Sequence, residues 1–199
     1  MIQYDAIVPA GGDSRRFGSD KLAYPIAGRP LLDHALDAVA TAHQIVVVGA
    51  PRPTQRLVTW TLEEPPGGGP LAGVAAAIRF TCCPLVVLLA GDMPHASGAV
   101  AALLQAAGGA ASPEVCVTVD DDERLQPLTA VWPRQRLVER LAELGEVDGL
   151  AMMRLYDGVR LTTVGVGTAD LVDIDTLDDV RSSSAPVEPT TGPGAPHAP

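Results

Sequence analysis

The sequence predicts an α/β fold in which a mostly parallel sheet lies between layers of helices. Three observations carry that expectation. Short β-branched runs alternate with helical patterns along most of the chain, and such alternation joins parallel strands through right-handed helical crossovers. Two runs, Ile45-Val46-Val47-Val48 and Leu85-Val86-Val87-Leu88-Leu89-Ala90, are apolar without interruption, as strands buried on both faces are. Hydrophobic residues make up 47% of the 199 residues and charged residues 19%, which is the composition of a folded domain and not of a disordered chain.

The first strand is expected over Asp5 to Ala10, ending at Gly11-Gly12. Pro30 suits the first position of a helix whose Leu31, Leu32, Ala35, Leu36 and Val39 share a face. Strands follow at Gln44 to Gly49 and Leu57 to Leu62. The Gly- and Pro-rich stretch Pro65 to Pro70 then leads into a helix with Leu71, Val74 and Ile78 inward. After the Leu85 strand, Ser97 is a plausible N-cap for a helix carrying Val100, Leu103 and Leu104, stopped by Gly108-Gly109. Val115 to Val119 and Leu128 to Trp132 flank the acidic turn Asp120-Asp121-Asp122-Glu123 and read as paired strands. Pro133 starts a helix with Leu137, Val138, Leu141 and Leu144, closed by Gly145. Arg160 to Val166 is a late strand, and Asp175 caps a short last helix through Val180. From Ser182, prolines alternate with Ser, Thr, Gly and Ala, so residues 1–181 read as one domain and 182–199 as a disordered tail.

Charge and cysteine usage narrow the function. A net charge of -10 disfavours nucleic acid and anionic membranes as partners. No apolar run approaches the roughly 20 residues of a membrane-spanning helix. Residues Met1 to Ala10 read as a strand, not a signal peptide, and a cytoplasmic protein is expected. Cys82, Cys83 and Cys116 form no CxxC pair and read as small core residues. Met152 and Met153 read as core, and His34, His43 and His95 as surface, helix-end or loop residues.

Against that acidic background, residues 13–30 carry Arg15, Arg16, Lys21 and Arg29 against Asp13 and Asp20, and Lys21 is the chain's only lysine. The segment Ala10-Gly11-Gly12-Asp13-Ser14-Arg15-Arg16-Phe17-Gly18-Ser19-Asp20-Lys21 follows the first strand, where open α/β sheets bind ligands. Glycines admit close backbone approach, exposed N–H groups cradle phosphate oxygens, and the cations match a triphosphate. A solvated surface loop would look similar. The spacing fits neither GxGxxG nor GxxxxGK[ST]. The segment Glu63-Glu64-Pro65-Pro66-Gly67-Gly68-Gly69-Pro70-Leu71-Ala72-Gly73 offers backbone against which a flat base can lie, or simply a turn. Asp92, in Ala90-Gly91-Asp92-Met93-Pro94, projects a carboxylate from the end of a buried strand, as magnesium sites need, or as a helix cap does. Asp173 and Asp175 share one side of an extended segment and read as a second metal contact or as a helix cap.

Together these segments resemble the molybdenum cofactor guanylyltransferase family. The match runs from Pro9-Ala10-Gly11-Gly12-Asp13-Ser14-Arg15-Arg16-Phe17-Gly18 with Asp20-Lys21, through Gly69-Pro70-Leu71-Ala72-Gly73 and Ala90-Gly91-Asp92-Met93-Pro94, to Gln126-Pro127-Leu128 and Asp173-Ile174-Asp175-Thr176. The resemblance implies a Rossmann-like α/β/α sandwich and Mg2+-dependent transfer of GMP from GTP to the terminal phosphate of molybdopterin. It implies that Ala10, Gly11, Gly12, Ser14, Arg15 and Lys21 hold the triphosphate, that Gly69, Pro70, Leu71, Ala72 and Gly73 bind guanine, and that Asp92 holds the metal. Arg15, Lys21 and Asp92 would then be catalytic, with Gln126, Asp173 and Asp175 near the acceptor or a second metal. Molybdenum insertion proteins and receiving molybdoenzymes are the implied partners. The family often has leucine at Pro9, cysteine at Gly91 and asparagine around Asp173 and Asp175. Rival readings are a nucleotidyltransferase of the same fold with another base or acceptor (a molybdopterin cytidylyltransferase, or a sugar-phosphate or phospholactate enzyme) and a noncatalytic nucleotide-binding adaptor.

Overall fold

The fold is seen in a computed structural model that describes residues 2–11, 20–109, 114–174, 176 and 179. Residues 182–199, expected to be a tail, and Asp175, expected to be a helix cap, lie outside the described residues.

In chain order the elements are β1 (Tyr4–Pro9), a two-stranded ribbon of β2 (Pro25–Ile26) and β3 (Arg29–Pro30), α1 (Leu31–Ala38), β4 (Ile45–Val48), β5 (Thr59–Thr61), α2 (Gly69–Ala77), β6 (Leu85–Leu89), α3 (Ser97–Gly109), β7 (Val115–Val119), β8 (Leu125–Pro133), α4 (Arg134–Leu144) and β9 (Leu161–Gly165). Single 3-10 turns occupy Lys21–Ala23, Ile78–Phe80, Met152–Tyr156 and Thr168–Leu171.

Among the described residues, seven strands form one sheet in the order β5-β4-β1-β6-β8-β7-β9. β1 pairs in parallel with β4 and β6, β4 with β5, and β7 with β9. β8 is antiparallel to both β6 and β7, so one reversed strand interrupts an otherwise parallel sheet. The β7–β8 register shifts between Val117 and Thr118, a bulge just before the acidic turn.

Strand alternation divides the core into two layers. On one face Ala6, Val8, Val47, Val87 and Leu89 pack with Leu31, Leu32 and Leu36 of α1 and Val100 and Leu103 of α3. On the other, Ile7, Val46, Val48, Val86 and Leu88 pack with Leu71, Val74 and Ala77 of α2, Leu137 and Leu141 of α4, and Leu155. The molecule is therefore an α/β/α sandwich. Trp132 is fully buried in the second layer, edge-on to Tyr156 at a centroid distance of 5.3 Å. The Tyr156 hydroxyl donates to the Pro127 carbonyl at 2.7 Å, and burial drives its pKa up.

Several local expectations are corrected. Ser97 is the first residue of α3, and Val100 N–H bonds to the carbonyl of Ala96. The strand expected from Leu57 begins at Thr59, and Leu57 is 99% exposed. Met152 is buried, but Met153 is exposed, because five residues of 3-10 turn put neighbours on different sides. Cys83 and Cys116 are buried, whereas Cys82 is exposed in the segment ahead of β6. No helix among the described residues is long and apolar enough to cross a membrane.

Candidate functional site

The strand order reverses direction of growth at the β1–β6 pair, since β4 and β5 lie on one side of β1 and the later strands on the other. A crevice opens at such a switch point beyond the carboxyl ends of the strands. Three backbone bonds knit the segments that leave those ends. Ala10 N–H donates to the Val48 carbonyl at 2.7 Å, Gly49 N–H to Thr61 at 2.9 Å, and Gly91 N–H to Pro9 at 2.9 Å. A Cβ at Gly91 would stand 3.0 Å from the Pro9 carbonyl oxygen and 3.2 Å from Leu32 Cδ1, so the β1 and β6 exits are in close contact there.

Lys21 and Asp92 meet at this crevice. Asp20 caps the 3-10 turn through its side chain, which accepts from Leu22 N–H at 3.2 Å, and this turn orients Lys21. Lys21 Nζ lies 2.8 Å from Asp92 Oδ2, with the two side chains 13% and 26% exposed. The carbonyl of Asp92 in turn accepts from Ile174 N–H at 3.1 Å. That bond draws the Asp173 segment to the same crevice, where Asp173 is exposed.

Gln126-Pro127-Leu128 also borders this end of the sheet, since Ala90 N–H donates to the Leu128 carbonyl at 3.0 Å. The Gln126 amide itself donates to Asp120 Oδ2 at 3.1 Å, so the side chain is engaged with the acidic turn. Asp120 organises that turn: its Oδ1 accepts from Asp122 and Arg124 N–H groups, and Glu123 adopts a φ of 60°.

The Gly69-Pro70-Leu71-Ala72-Gly73 segment forms the first turn and a half of α2, at the carboxyl end of β5. Gly68 provides no side-chain cap, so the first-turn N–H groups have no side-chain acceptor from the cap position. Gly69 has a φ of 86°, which glycine adopts without strain. Gly73 serves packing: a Cβ there would come within 2.9 Å of Val48 Cγ1, so α2 lies directly on β4. Leu71 is fully buried and contributes to the core, not to a surface. The loop after α4 closes over this start, with Gly149 N–H donating to the Gly68 carbonyl at 2.9 Å. A cleft of about 610 Å³ flanks α2, lined by Glu63, Glu64, Ala72, Ala76, Arg79 and Asp148; Lys21 and Asp92 are not in its lining.

Gly12, Ser14, Arg15 and Asp175 lie outside the described residues, as does Arg16. Of the remaining expectations, the structure brings Ala10, Gly11, Lys21, Asp92 and the Asp173 segment to one end of the sheet. Arg29 is removed from the expected cationic cluster: its guanidinium lies 2.9 Å from Asp37, which also binds Arg56 at 2.7 Å. Burial opposes ionisation of Asp37, but the two guanidinium groups outweigh it and hold its pKa below the ordinary value.

One residue escaped the sequence reading. Arg52 donates from Nε to Asp20 at 3.0 Å and from a terminal nitrogen to the Ala10 carbonyl at 3.1 Å, and its guanidinium lies 5.9 Å from the Trp60 ring centre. It thus spans both ends of the first loop. The sequence offered little signal, because Arg52 sits in the turn Ala50-Pro51-Arg52-Pro53, which reads as an ordinary connection.

The family model for the MobA-like NTP transferase domain matches residues 6–161. A protein of Pyrococcus furiosus named as a probable molybdenum cofactor guanylyltransferase is 33% identical over 147 residues, 70% of this chain and 74% of its own length. Among solved structures, the molybdopterin-guanine dinucleotide biosynthesis protein A of Archaeoglobus fulgidus superposes with a TM-score of 0.68 at 19% identity, covering 90% of this chain and 96% of that one. The 2-C-methyl-D-erythritol 4-phosphate cytidylyltransferase of Thermus thermophilus gives a TM-score of 0.68 at 20% identity, covering 92% and 98%, and shares the fold. The matched domain includes the first loop, Lys21, the Gly69–Gly73 turn and Asp92, and the chain belongs to the MobA-like nucleotidyltransferase family.

Proposed function

We propose that the protein transfers GMP from GTP to the terminal phosphate of molybdopterin, working in the cytoplasm with magnesium at Asp92. The carrying observation is the 2.8 Å pair of Lys21 and Asp92 at the switch point of the sheet. A lysine for phosphate and a carboxylate for a hard cation are the two groups this chemistry needs side by side. The named relatives support guanine and molybdopterin as the substrates.

Asp92 fits a magnesium site by its chemistry: one carboxylate at a crevice leaves most coordination positions to water and phosphate oxygens, as this cation prefers. When bound there, magnesium supplies charge neutralisation to the phosphates. The remaining work falls to the chain. Lys21 leaves Asp92 for the β- and γ-phosphates as triphosphate enters, and holds them while charge builds on the leaving group. Gly11, Gly12, Ser14 and Arg15 are proposed to bind the same phosphates. The Gly69–Gly73 turn receives the base. A terminal phosphate oxygen of molybdopterin attacks the α-phosphorus; the new P–O bond forms as the bond to the β-phosphate oxygen breaks, and pyrophosphate leaves. The attacking phosphate is already ionised near neutral pH, so the step calls for positioning more than for a general base. Gln126, Asp173 and Asp175 are proposed to border the acceptor. Residues 1–181 are proposed to form the catalytic domain, with 182–199 a tail outside it.

Calorimetric titration with GTP, CTP, ATP and UTP in the presence of magnesium tests the reading. It predicts selective binding of GTP that Lys21→Ala abolishes. Preference for CTP would keep the chemistry and change the base. GTP binding without pyrophosphate release in the presence of molybdopterin would instead indicate a noncatalytic nucleotide-binding adaptor.

A further inference from the structure

A second cluster of metal-ligating side chains stands at the opposite end of the sheet. Asp5 lies near the start of β1, His43 just before β4, and Cys82-Cys83 just before β6. These three strands are neighbours in the order β4-β1-β6, so the cluster joins their amino ends, while the phosphate chemistry belongs to their carboxyl ends. The ligating atoms of Asp5, His43, Cys82 and Cys83 all fall within 4.8 Å of one another.

From this juxtaposition we propose a binding site for a zinc-type divalent cation, with Asp5 Oδ1, His43 Nδ1 and the sulfurs of Cys82 and Cys83 as its four ligands. Two nitrogen, oxygen and sulfur separations carry the argument. Zinc takes nitrogen at about 2.0–2.1 Å, oxygen at about 2.0–2.2 Å and sulfur at about 2.3 Å in a tetrahedron. Those lengths set N···O edges of about 3.4 Å and N···S edges of about 3.6 Å. Here His43 Nδ1 lies 3.3 Å from Asp5 Oδ1 and 3.7 Å from Cys82 Sγ. The two edges that His43 makes with Asp5 and Cys82 thus match the lengths of such a shell.

The surroundings suit the role. Asp5 is fully buried, and its other oxygen, Oδ2, accepts from the N–H groups of Cys82 at 2.6 Å and Cys83 at 2.7 Å. These bonds fix the carboxylate and leave Oδ1 toward His43, which is how supporting hydrogen bonds orient a metal-ligating group. The His43 side chain is 63% exposed and Cys82 is exposed, so a cation has a path in. Bound metal would brace three central strands from the end remote from the crevice.

The test uses the full chain, freed of metal and fully reduced, titrated with Co2+ and then Zn2+. The expected result is thiolate-to-cobalt charge-transfer absorption with the strong visible bands of a tetrahedral centre, saturating at equimolar metal, bleached by zinc, and accompanied by a rise in Tm with zinc. Cys82→Ser and His43→Gln change exposed side chains; each should keep the wild-type circular dichroism and weaken zinc binding by at least about tenfold. Cys116→Ser should bind as wild type does. Asp92→Ala should keep the thiolate signal, which separates this site from the magnesium crevice. A folded, reduced protein that gives no thiolate–cobalt absorption overturns the proposal, and so does zinc binding unchanged in both Cys82→Ser and His43→Gln.

Discussion

The ammonium of Lys21 and the carboxylate of Asp92 meet at 2.8 Å across 71 positions of sequence. One follows the loop after β1 and the other the end of β6, so their meeting is a product of parallel pairing between those two strands. Lys21→Ala is predicted to lower kcat/KM for GTP by about 10²–10³-fold, the range for removing a preorganised group from developing charge. Asp92→Asn should lose a similar factor and shift the magnesium dependence to higher concentration. Pyrophosphate release checks both, with circular dichroism showing that each variant still folds.

Arg52 gives a milder prediction. Its contacts to Asp20 and the Ala10 carbonyl hold the two ends of the first loop, and neither contact is made to Lys21 or Asp92. Arg52→Ala should therefore raise KM for GTP roughly fivefold, equivalent to about 1 kcal/mol, while kcat changes less. Steady-state kinetics at varied GTP separates the two parameters.

The contact of α2 with β4 predicts a packing defect. A side chain at Gly73 would press on Val48, whose Cγ1 is 2.9 Å from the added Cβ. Gly73→Val should destabilise the fold by about 1–3 kcal/mol, the usual cost of overpacking a core. For a domain of this size each kcal/mol lowers Tm by about 2–4 °C. Gly109→Ala, where an added Cβ meets nothing within 4 Å, should leave stability within about 0.5 kcal/mol of wild type in thermal unfolding.

Acid stability follows from Asp5. Burial alone would raise its pKa, but the N–H groups of Cys83 and Cys82 prevail and hold it below the ordinary carboxylate value. A carboxyl whose folded pKa lies below its unfolded value of about 3.9 contributes stability that is fully present above that value. That contribution is lost as pH falls through the folded pKa. Denaturant unfolding should therefore show a steep loss of stability below about pH 4 in the wild type. Asp5→Ala should be less stable at neutral pH, because two backbone donors lose their acceptor, and its stability should fall less steeply over the same acid range.

Much of the architecture was legible in the sequence. The uninterrupted apolar runs at Ile45 and Leu85 mark central strands because burial on both faces leaves no polar positions. Pro30, Pro133 and Gly145 mark helix ends through fixed φ or tolerance of positive φ. Local rules failed where tertiary contacts decide. Ser97 looks like a cap, but the chain enters α3 one residue earlier. Leu57 is apolar yet almost wholly exposed, so strand β5 begins beyond it. Arg29 reads as phosphate-directed until the fold sets Asp37 and Arg56 beside it. The placement of Lys21 and Asp92 beyond the carboxyl ends of β1 and β6 was legible from motif and strand position. Arg52 and the Asp5, His43, Cys82, Cys83 cluster were not, since their partners lie on separate strands and carry no common spacing in sequence.

The most direct test of the central claim is pyrophosphate release from GTP upon addition of molybdopterin, with CTP as the comparison substrate. Release should require magnesium and molybdopterin, favour GTP over CTP, and disappear in Asp92→Ala. Folded wild-type protein that releases no pyrophosphate from GTP, or an Asp92→Ala variant that releases it at the wild-type rate, would contradict the account.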